Sequence, residues 1–270
     1  MMRHPGLQAG ASIIELLVSV AIGLVIAASL FGVYVASSVN STRILKTSKL
    51  NQELTTLMTV MVNDIRRAGY WFNTNGDRPQ SNPFAVPDAT LLTVIADSTS
   101  TTSEGGQGAG ECILFSYDAN IDDQLEAGDI DGDGDQDYEI FGFRLNNGAV
   151  EMMQMGENAA HGNDCTDATG NWLALTDRDT VAVDALEFSL ADSECLNTSE
   201  PDGEDDDGDS VPDNSGEFDC FNTPPDPGDI NVHTRMVRIR LDGSLVSDPA
   251  STISLDQSVR VRNEFVTVIP

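Results

Sequence analysis

The chain has 270 residues, 40% of them hydrophobic, and is long enough to bury one sizeable core. Its 44 acidic residues against 14 basic ones give a net charge of -30, which repels nucleic acid and anionic lipid. This balance disfavours nucleic-acid binding and leaves metal cations and polycations as the natural partners.

A long apolar run lies close to the N-terminus. Residues 16–38 include no Asp, Glu, Lys or Arg, and they exceed the roughly 20 residues that a helix needs to cross a bilayer. A cleaved secretory signal is the alternative, since Arg3 and His4 precede the run, but the apolar core of such signals is only about 7 to 15 residues long. The run therefore predicts a membrane-spanning helix. Glu15 stands at its start, where a carboxylate is unfavourable in lipid unless a partner takes up the charge.

The residues at the start of this run, GASIIE from Gly10 to Glu15, resemble the class III leader junction of type IV prepilins. The resemblance implies that a prepilin peptidase cuts after Gly10 and N-methylates Ala11, so that Glu15 becomes the fifth residue of the mature chain. Many major pilins have phenylalanine in the place of Ala11. In a filament, Glu15 would face the terminal amine of a neighbouring subunit, and assembly would cancel a charge that is expensive in lipid.

The same resemblance implies how the chain is divided and where it resides. We expect a leader peptide at 1–10, a transmembrane and filament-core helix at 11–39, its amphipathic continuation at 40–69, and a periplasmic or extracellular pilin β domain at 70–270. Before assembly the chain would cross the inner membrane once, with its C-terminal domain in the periplasm. After assembly it would belong to an extracellular pilus, at or near the tip, and would contact major and minor pilins through its N-terminal helix.

A second helical pattern follows the apolar run. Apolar residues recur at spacings of three and four, which places them on one helical face. They are Leu50, Leu54, Leu57, Met61 and Ile65. We expect this face to pack on the protein's own sheet, and Gly69 to stop the helix.

Short apolar runs separated by turn residues then predict strands. They are LLTVIA, CILFSY, YEIFGFRL, AVEMM, VAVDALEFSL, MVRIRLDG and VRVRNEFVTVI. Asn147-Gly148 predicts a hairpin between 138–146 and 149–153. Long loops at 97–110 and 196–229 separate some of the strands. We therefore predict an α+β fold in which a long N-terminal helix packs on an antiparallel sheet with long acidic, disulfide-closed loops.

Several of these segments resemble minor pilins of the PilW type. They are CILFSYDAN, DYEIFGFRLNNGAVEM, the late VRVRN and DIRRAGY at 64–70. The resemblance implies a protein that is not an enzyme and that primes filament assembly with other minor pilins. The alternatives are a minor pseudopilin of a type II secretion system and a calcium-dependent tip adhesin. A hydrolase is disfavoured, because Gly208-Asp209-Ser210 lacks the second glycine of a nucleophile elbow.

Four cysteines, an even number, all follow the apolar run, as expected for an oxidising compartment such as the periplasm. Of the three possible pairings we favour Cys112 with Cys165 and Cys195 with Cys220. The second pair would close the acidic loop between its two cysteines and lower the entropy of the unfolded chain. A zinc site is the alternative, but no Cys-x-x-Cys spacing occurs and only three histidines are present.

Three acidic segments have the ligand spacing of a calcium loop. Calcium takes oxygen ligands, and loops of the EF type supply them at alternating positions with glycine at the sixth place. The candidate ligands of the first two segments are Asp118, Asn120, Asp122, Asp129, Asp131, Asp133, Asp135, Asp137 and Glu139. The first segment has Asp123 in place of the glycine, whereas the second has Gly134 there but Ile140 at the closing position.

The third segment, DDDGDSVPD at 205–213, resembles the calcium-binding repeats of thrombospondin type 3. The resemblance implies as ligands Asp205, Asp207, Asp209 and Asp213. We expect Ca²⁺ in at least one of the three segments, because packed carboxylates repel one another until a cation neutralises them. Mg²⁺ fits less well, since it prefers few protein ligands and several waters. The alternative is that all three are solvated acidic loops without a metal.

Overall fold

The computed structural model describes residues 12–73, 76, 81–87, 89–97, 103–104, 107–125, 127–128, 137–154, 164–166 and 171–269. The predicted processing residues Gly10 and Ala11 lie outside this range, as do Asp129, Asp131, Asp133 and Asp135. Asp137 is described only as strand backbone. The chain divides into two compact units, 1–49 and 50–270, which are treated separately below.

The described part of the N-terminal unit is helical. Helix α1 extends over Ile13–Ile65, and its apolar side chains up to Leu45 are exposed to solvent, from Ile13 at 82% to Val35 at 43%. Ser19 and Ser29 donate to the carbonyl oxygens of the residues four positions earlier, at 2.7 and 2.8 Å. Because the helix itself satisfies these hydroxyl groups, the apolar run needs no outside polar partner for them. The helix is long and apolar enough to cross a membrane.

The C-terminal part of α1 belongs to the second unit and contributes to its core. All five positions of the predicted apolar face are buried, and none exposes more than 5% of its surface. The helix ends at Ile65, and Gly69 adopts a left-handed φ of +70° in the turn that follows. Glycine adopts this conformation without the steric penalty of a Cβ atom, so it stops the helix as expected.

Fifteen strands are present among the described residues. Their bounds are β1 Thr93–Ile95, β2 Ser103–Glu104, β3 Ala109–Gly110, β4 Cys112–Ser116, β5 Ala127–Gly128, β6 Asp137–Tyr138, β7 Ile140–Asn146, β8 Ala149–Gln154, β9 Asn171–Ala174, β10 Val181–Ser189, β11 Glu194–Asn197, β12 Ile230–Thr234, β13 Met236–Leu245, β14 Asp248–Arg260 and β15 Phe265–Val268. A short 3-10 helix occupies Pro83–Ala85.

All strand pairs are antiparallel, which confirms the predicted α+β fold. The sheets have the orders β2-β1-β4-β7-β8-β9, β14-β13-β10-β3 and β11-β12-β15, with β5-β6 as a separate pair. The predicted hairpin joins β7 and β8 through Asn147 and Gly148, both at positive φ. Such a turn matches the twist of the paired strands.

Two clusters of buried side chains hold the second unit together. The larger one combines the buried face of α1 with residues of the six-stranded and four-stranded sheets. The smaller one lies on the opposite face of the six-stranded sheet. Along β4, Ile113 and Phe115 face the larger cluster, whereas Cys112 and Leu114 face the smaller one, as the alternation of a strand requires.

The run at 259–269, predicted as one strand, is interrupted. Its first residues complete β14, a turn follows, and β15 then joins a different sheet. Most of β14 was not predicted, because it is an edge strand whose sequence DPASTISLDQSVR is mostly polar and exposed. Such a strand lacks the regular apolar alternation that identifies a half-buried strand.

Both predicted disulfides, Cys112–Cys165 and Cys195–Cys220, are formed. The first lies beside a buried ion pair, in which Arg144 donates to Glu151 Oε2 at 2.7 and 2.9 Å. Arg144 also donates to the carbonyl oxygen of Cys165 at 2.7 Å and stacks over Trp172. Arg178 donates to the other oxygen of Glu151. These contacts attach the segment around Cys165 to the sheet.

Candidate functional site

Glu15 lies in the first turn of α1 and is exposed. The amide groups of a first helical turn have no partner within the helix, and the positive end of the helix dipole favours a carboxylate there. The helix therefore makes this position favourable for a negative charge. This local effect is compatible with the predicted role of Glu15 in assembly.

The first acidic segment lies in the chain between β4 and β7, which includes the short strands β5 and β6 and is called the β4–β7 loop below. The loop brings together carboxylate oxygens of Asp118, Asp122 and Glu139, all within 4.8 Å of one another. Asp118 and Glu139 are buried, whereas Asp122 is exposed. Asn120, which was predicted to join them, accepts a hydrogen bond from the amide of Asp122 at 3.2 Å.

The Asp118 carboxylate is already extensively hydrogen-bonded. Oδ1 accepts from the amides of Ile121 and Asp122, and Oδ2 from those of Phe72 and Asp123, at 2.6 to 3.3 Å. Glu139 Oε1 accepts from the amide of Ala119 at 2.9 Å. Backbone amides therefore stabilise these buried charges, and Asp118 organises the loop.

The third acidic segment lies in the loop at 198–229, between β11 and β12. The Cys195–Cys220 disulfide and a bridge between Leu196 and Asp219 hold this loop against β11. The loop has twelve carboxylates and no Lys or Arg, and the sequence has no Lys or Arg between Arg178 and Arg235. No cationic side chain within the loop can therefore neutralise its charge.

Three groups of carboxylates converge in this loop. Within each group one oxygen of every member lies within 4.8 Å of the others. The groups are Asp205 with Asp207 and Glu217, Glu200 with Asp202 and Asp213, and Asp202 with Asp206 and Asp226. A calcium ion bound at about 2.4 Å from its ligands holds oxygens at most about 4.8 Å apart.

The structure thus divides the four residues predicted from the 205–213 spacing. Asp205 and Asp207 meet Glu217, whereas Asp213 joins Glu200 and Asp202. Asp209 belongs to none of these groups, and its Oδ1 accepts from the amide of Val211 at 2.7 Å. Sequence reasoning missed Glu200, Asp202, Asp206, Glu217 and Asp226. Only Glu217 had a usable signal, because it follows Asp205 at one place beyond the closing position of an EF-type loop.

Glu217 and Glu200 are both buried, but their surroundings differ. Glu217 accepts from the amides of Asp206 and Asn214, one on each oxygen, at 3.0 Å. Glu200 exposes only 8% of its surface, and among the described residues its Oε2 has no hydrogen-bond partner. Burial raises the pKa of Glu200 to about 7, and the negative charges of Asp202 and Asp206 raise it further.

His233 on β12 lies next to the Cys195–Cys220 disulfide. Its Nε2 is 3.7 Å from Cys195 Sγ and 3.3 Å from Thr267 Oγ1, and its ring packs on Phe221 and Phe265. Burial, and secondly the charge of Arg235, lower the pKa of His233 to about 4. A cleft of about 540 Å³ lies beside it, lined by residues that include Cys195 and Phe221. His161 lies outside the described residues.

The apolar N-terminal helix, the antiparallel sheets and the two disulfides are compatible with a pilin-like protein. A family model for prepilin peptidase-dependent protein B matches residues 43–261, and the chain belongs to this family. No curated protein and no solved structure matches the chain. The matched family relates the chain to the prepilin peptidase and the pilus machinery.

Proposed function

We propose that this chain is a non-enzymatic minor pilin of the PilW type that takes part in initiation and tip assembly of a type IV pilus. The observation that carries the proposal is a membrane-length apolar helix with one carboxylate, Glu15, exposed in its first turn. Membership of the prepilin peptidase-dependent family supports it. In this proposal the peptidase cuts after Gly10 and methylates Ala11, and Glu15 pairs with the amine of a neighbouring subunit.

Calcium stabilisation of the acidic loops is the second part of the proposal. It is supported by the meeting of Asp205, Asp207 and Glu217, because three carboxylates at this separation repel one another unless a cation lies between them. The group of Asp118, Asp122 and Glu139 is a second candidate for such a site. Calcium would then contribute folding free energy to an exported domain.

The pilus role is tested by replacing Glu15. A deletion strain is complemented with the wild-type chain, with Glu15→Ala or, as a control in the same helix, with Ser29→Ala. We expect all three to be cleaved by the peptidase, but only Glu15→Ala to lose incorporation into filaments and to restore roughly tenfold fewer pili. The physical reason is that an unpaired charge in lipid favours assembly, and alanine removes that charge.

Two outcomes would contradict this proposal. Normal incorporation of Glu15→Ala would remove the role given to the carboxylate. A deletion strain that keeps its pili but loses secretion of exported proteins would assign the chain to a secretion pseudopilus instead.

A further inference from the structure

We propose a calcium site in which Glu200 is the buried ligand and Asp202 and Asp213 are the exposed ones. Of these three residues, the sequence pattern indicated only Asp213. The site deepens the calcium part of the proposed function and is independent of the pilus role. It is separate in its ligands from the group of Asp205, Asp207 and Glu217.

The first step of the argument is the unsatisfied oxygen of Glu200. A buried carboxylate oxygen without a partner is rare in native proteins, because desolvation of the charge is not compensated. Glu200 Oε2 is such an atom among the described residues, and Oε1 lies 3.5 Å from the side-chain nitrogen of Asn197. The residue is more than nine-tenths buried. This oxygen is therefore favourable only if a proton or a bound cation neutralises its charge.

The second step is the charge of the surroundings. One oxygen each of Glu200, Asp202 and Asp213 lies within 4.8 Å of the others, and Asp202 also belongs to the group with Asp206. Two carboxylates in such contact are stable only with a proton or a cation between them. A single proton on Glu200 would leave Asp202 and Asp213 as repelling neighbours. A divalent cation between them offsets two of their charges and attracts each carboxylate.

The third step is the choice of ion. Every ligand is a carboxylate oxygen, which selects a hard cation, and all four cysteines are in disulfides. Ca²⁺ accepts six to eight oxygen ligands in flexible geometry, whereas Mg²⁺ requires a compact octahedron and retains several waters. Asp202 also belongs to the group with Asp206 and Asp226, so further carboxylates adjoin the site. A site with this many carboxylates on a loop fits Ca²⁺ best.

The backbone already presents these ligands. Asp213 adopts a positive φ of +56° and its Oδ1 accepts from the amide of Gly203 at 2.9 Å, which joins the two ends of the segment at 203–213. Asp202 Oδ1 accepts from the amide of Glu204 at 2.8 Å. Since each of these oxygens has one hydrogen bond, each retains a lone pair that a cation can use.

The test measures calcium binding and thermal unfolding of the full chain, purified in detergent with its disulfides intact. The variants are Glu200→Gln and Asp213→Asn, with Asp209→Asn as the control. Asp209→Asn makes the same change of charge in the same loop at a residue outside the groups. Asparagine tolerates the left-handed conformation of Asp213, so that variant should fold even if Glu200→Gln does not.

We expect equilibrium dialysis with radioactive calcium, in excess Mg²⁺, to show one ion fewer per chain for Glu200→Gln and Asp213→Asn than for Asp209→Asn. We also expect Glu200→Gln to have a higher melting temperature than wild type in EDTA and a lower one in calcium. In EDTA, Glu200→Gln should unfold about 2 to 4 °C above wild type, because a buried charge is removed. In calcium it should unfold below wild type, because a ligand is lost.

Other results overturn the inference in distinguishable ways. If both variants bind as many ions as the control, and Glu200→Gln changes the melting temperature equally in calcium and EDTA, the site does not exist. A proton, rather than a cation, then neutralises the buried carboxylate of Glu200. If Asp207→Asn loses an ion while Glu200→Gln and Asp213→Asn do not, this inference fails but the calcium part of the proposed function stands. If the wild-type chain binds no calcium, both fail.

Discussion

The two acidic loops differ in what stabilises their buried carboxylates. In the β4–β7 loop, four backbone amides donate to Asp118, and a further amide donates to Glu139. In the loop at 198–229, Glu217 is similarly hydrogen-bonded, but Glu200 has a buried oxygen that no described donor reaches. Both loops are rich in aspartate, so composition alone does not distinguish them.

The difference predicts which acidic loop depends on an ion. A carboxylate that is fully hydrogen-bonded to the backbone is already stabilised in its charged form, and a cation adds comparatively little to it. A buried carboxylate without donors is unfavourable until a cation binds. We therefore expect calcium to stabilise mainly the loop at 198–229, and the β4–β7 loop to depend mainly on its own hydrogen bonds.

Removal of the disulfides should give the largest effect. The bonds Cys195–Cys220 and Cys112–Cys165 span 25 and 53 residues, so the loss of either should lower the free energy of unfolding by about 3 to 4 kcal/mol. Only the double Cys→Ser variant at 195 and 220 should also lose most of the calcium-induced rise in melting temperature, because that disulfide closes the loop at 198–229, in which the calcium sites are proposed. Thermal unfolding of this variant and of the double Cys→Ser variant at 112 and 165, each with calcium and with EDTA, checks this. An equal loss of the calcium effect in both would show that the ion acts elsewhere.

Replacement of Asp118 should give the next largest effect. Asp118→Ala would leave several partly buried amides without their acceptor and should lower the free energy of unfolding by about 2 to 3 kcal/mol. The loss should be the same with calcium and with EDTA, which denaturant unfolding can measure. Exposed Asp179, which accepts no such set of amides, provides a control with little expected effect when replaced by Ala. A loss that appears only in calcium would make Asp118 a ligand rather than an organiser of its loop.

Local patterns predicted those parts of the fold that depend on near neighbours in the sequence. The spacing of Leu50, Leu54 and Leu57 revealed a buried helical face, and Asn147-Gly148 revealed the hairpin. The edge strand β14 was largely missed, because its exposed side chains carry no apolar alternation. β14 pairs with β13, and the sequence of β14 alone does not reveal this partner.

The same limit applies to the candidate ion sites. The spacing of Asp205 and Asp207 was informative, because turns within a short loop bring such residues together. Glu200 could not be recognised in this way, since it precedes the loop motif and its burial results from the packing of the folded segment. Asp213 was predicted as a ligand, but the fold places it with Glu200 instead of with Asp205.

The smallest expected effect is a pH dependence of the free energy of unfolding. It arises from His233, which lies beside the Cys195–Cys220 disulfide. Since the pKa of His233 is lowered to about 4 by burial and by Arg235, the unfolded chain takes up a proton below about pH 6.5, whereas the folded chain does so only near pH 4. The contribution of His233 to stability is therefore complete above pH 6.5 and is lost as the pH falls from 6.5 to 4. After allowance for partial exposure to solvent, the loss should be about 1 to 2 kcal/mol.

His233→Gln should remove this part of the slope, as measured by denaturant unfolding at a series of pH values in EDTA. Because the titration of Glu200 is common to both chains, the difference between wild type and variant isolates the histidine, and identical slopes would show that His233 is protonated equally in the folded and unfolded chain.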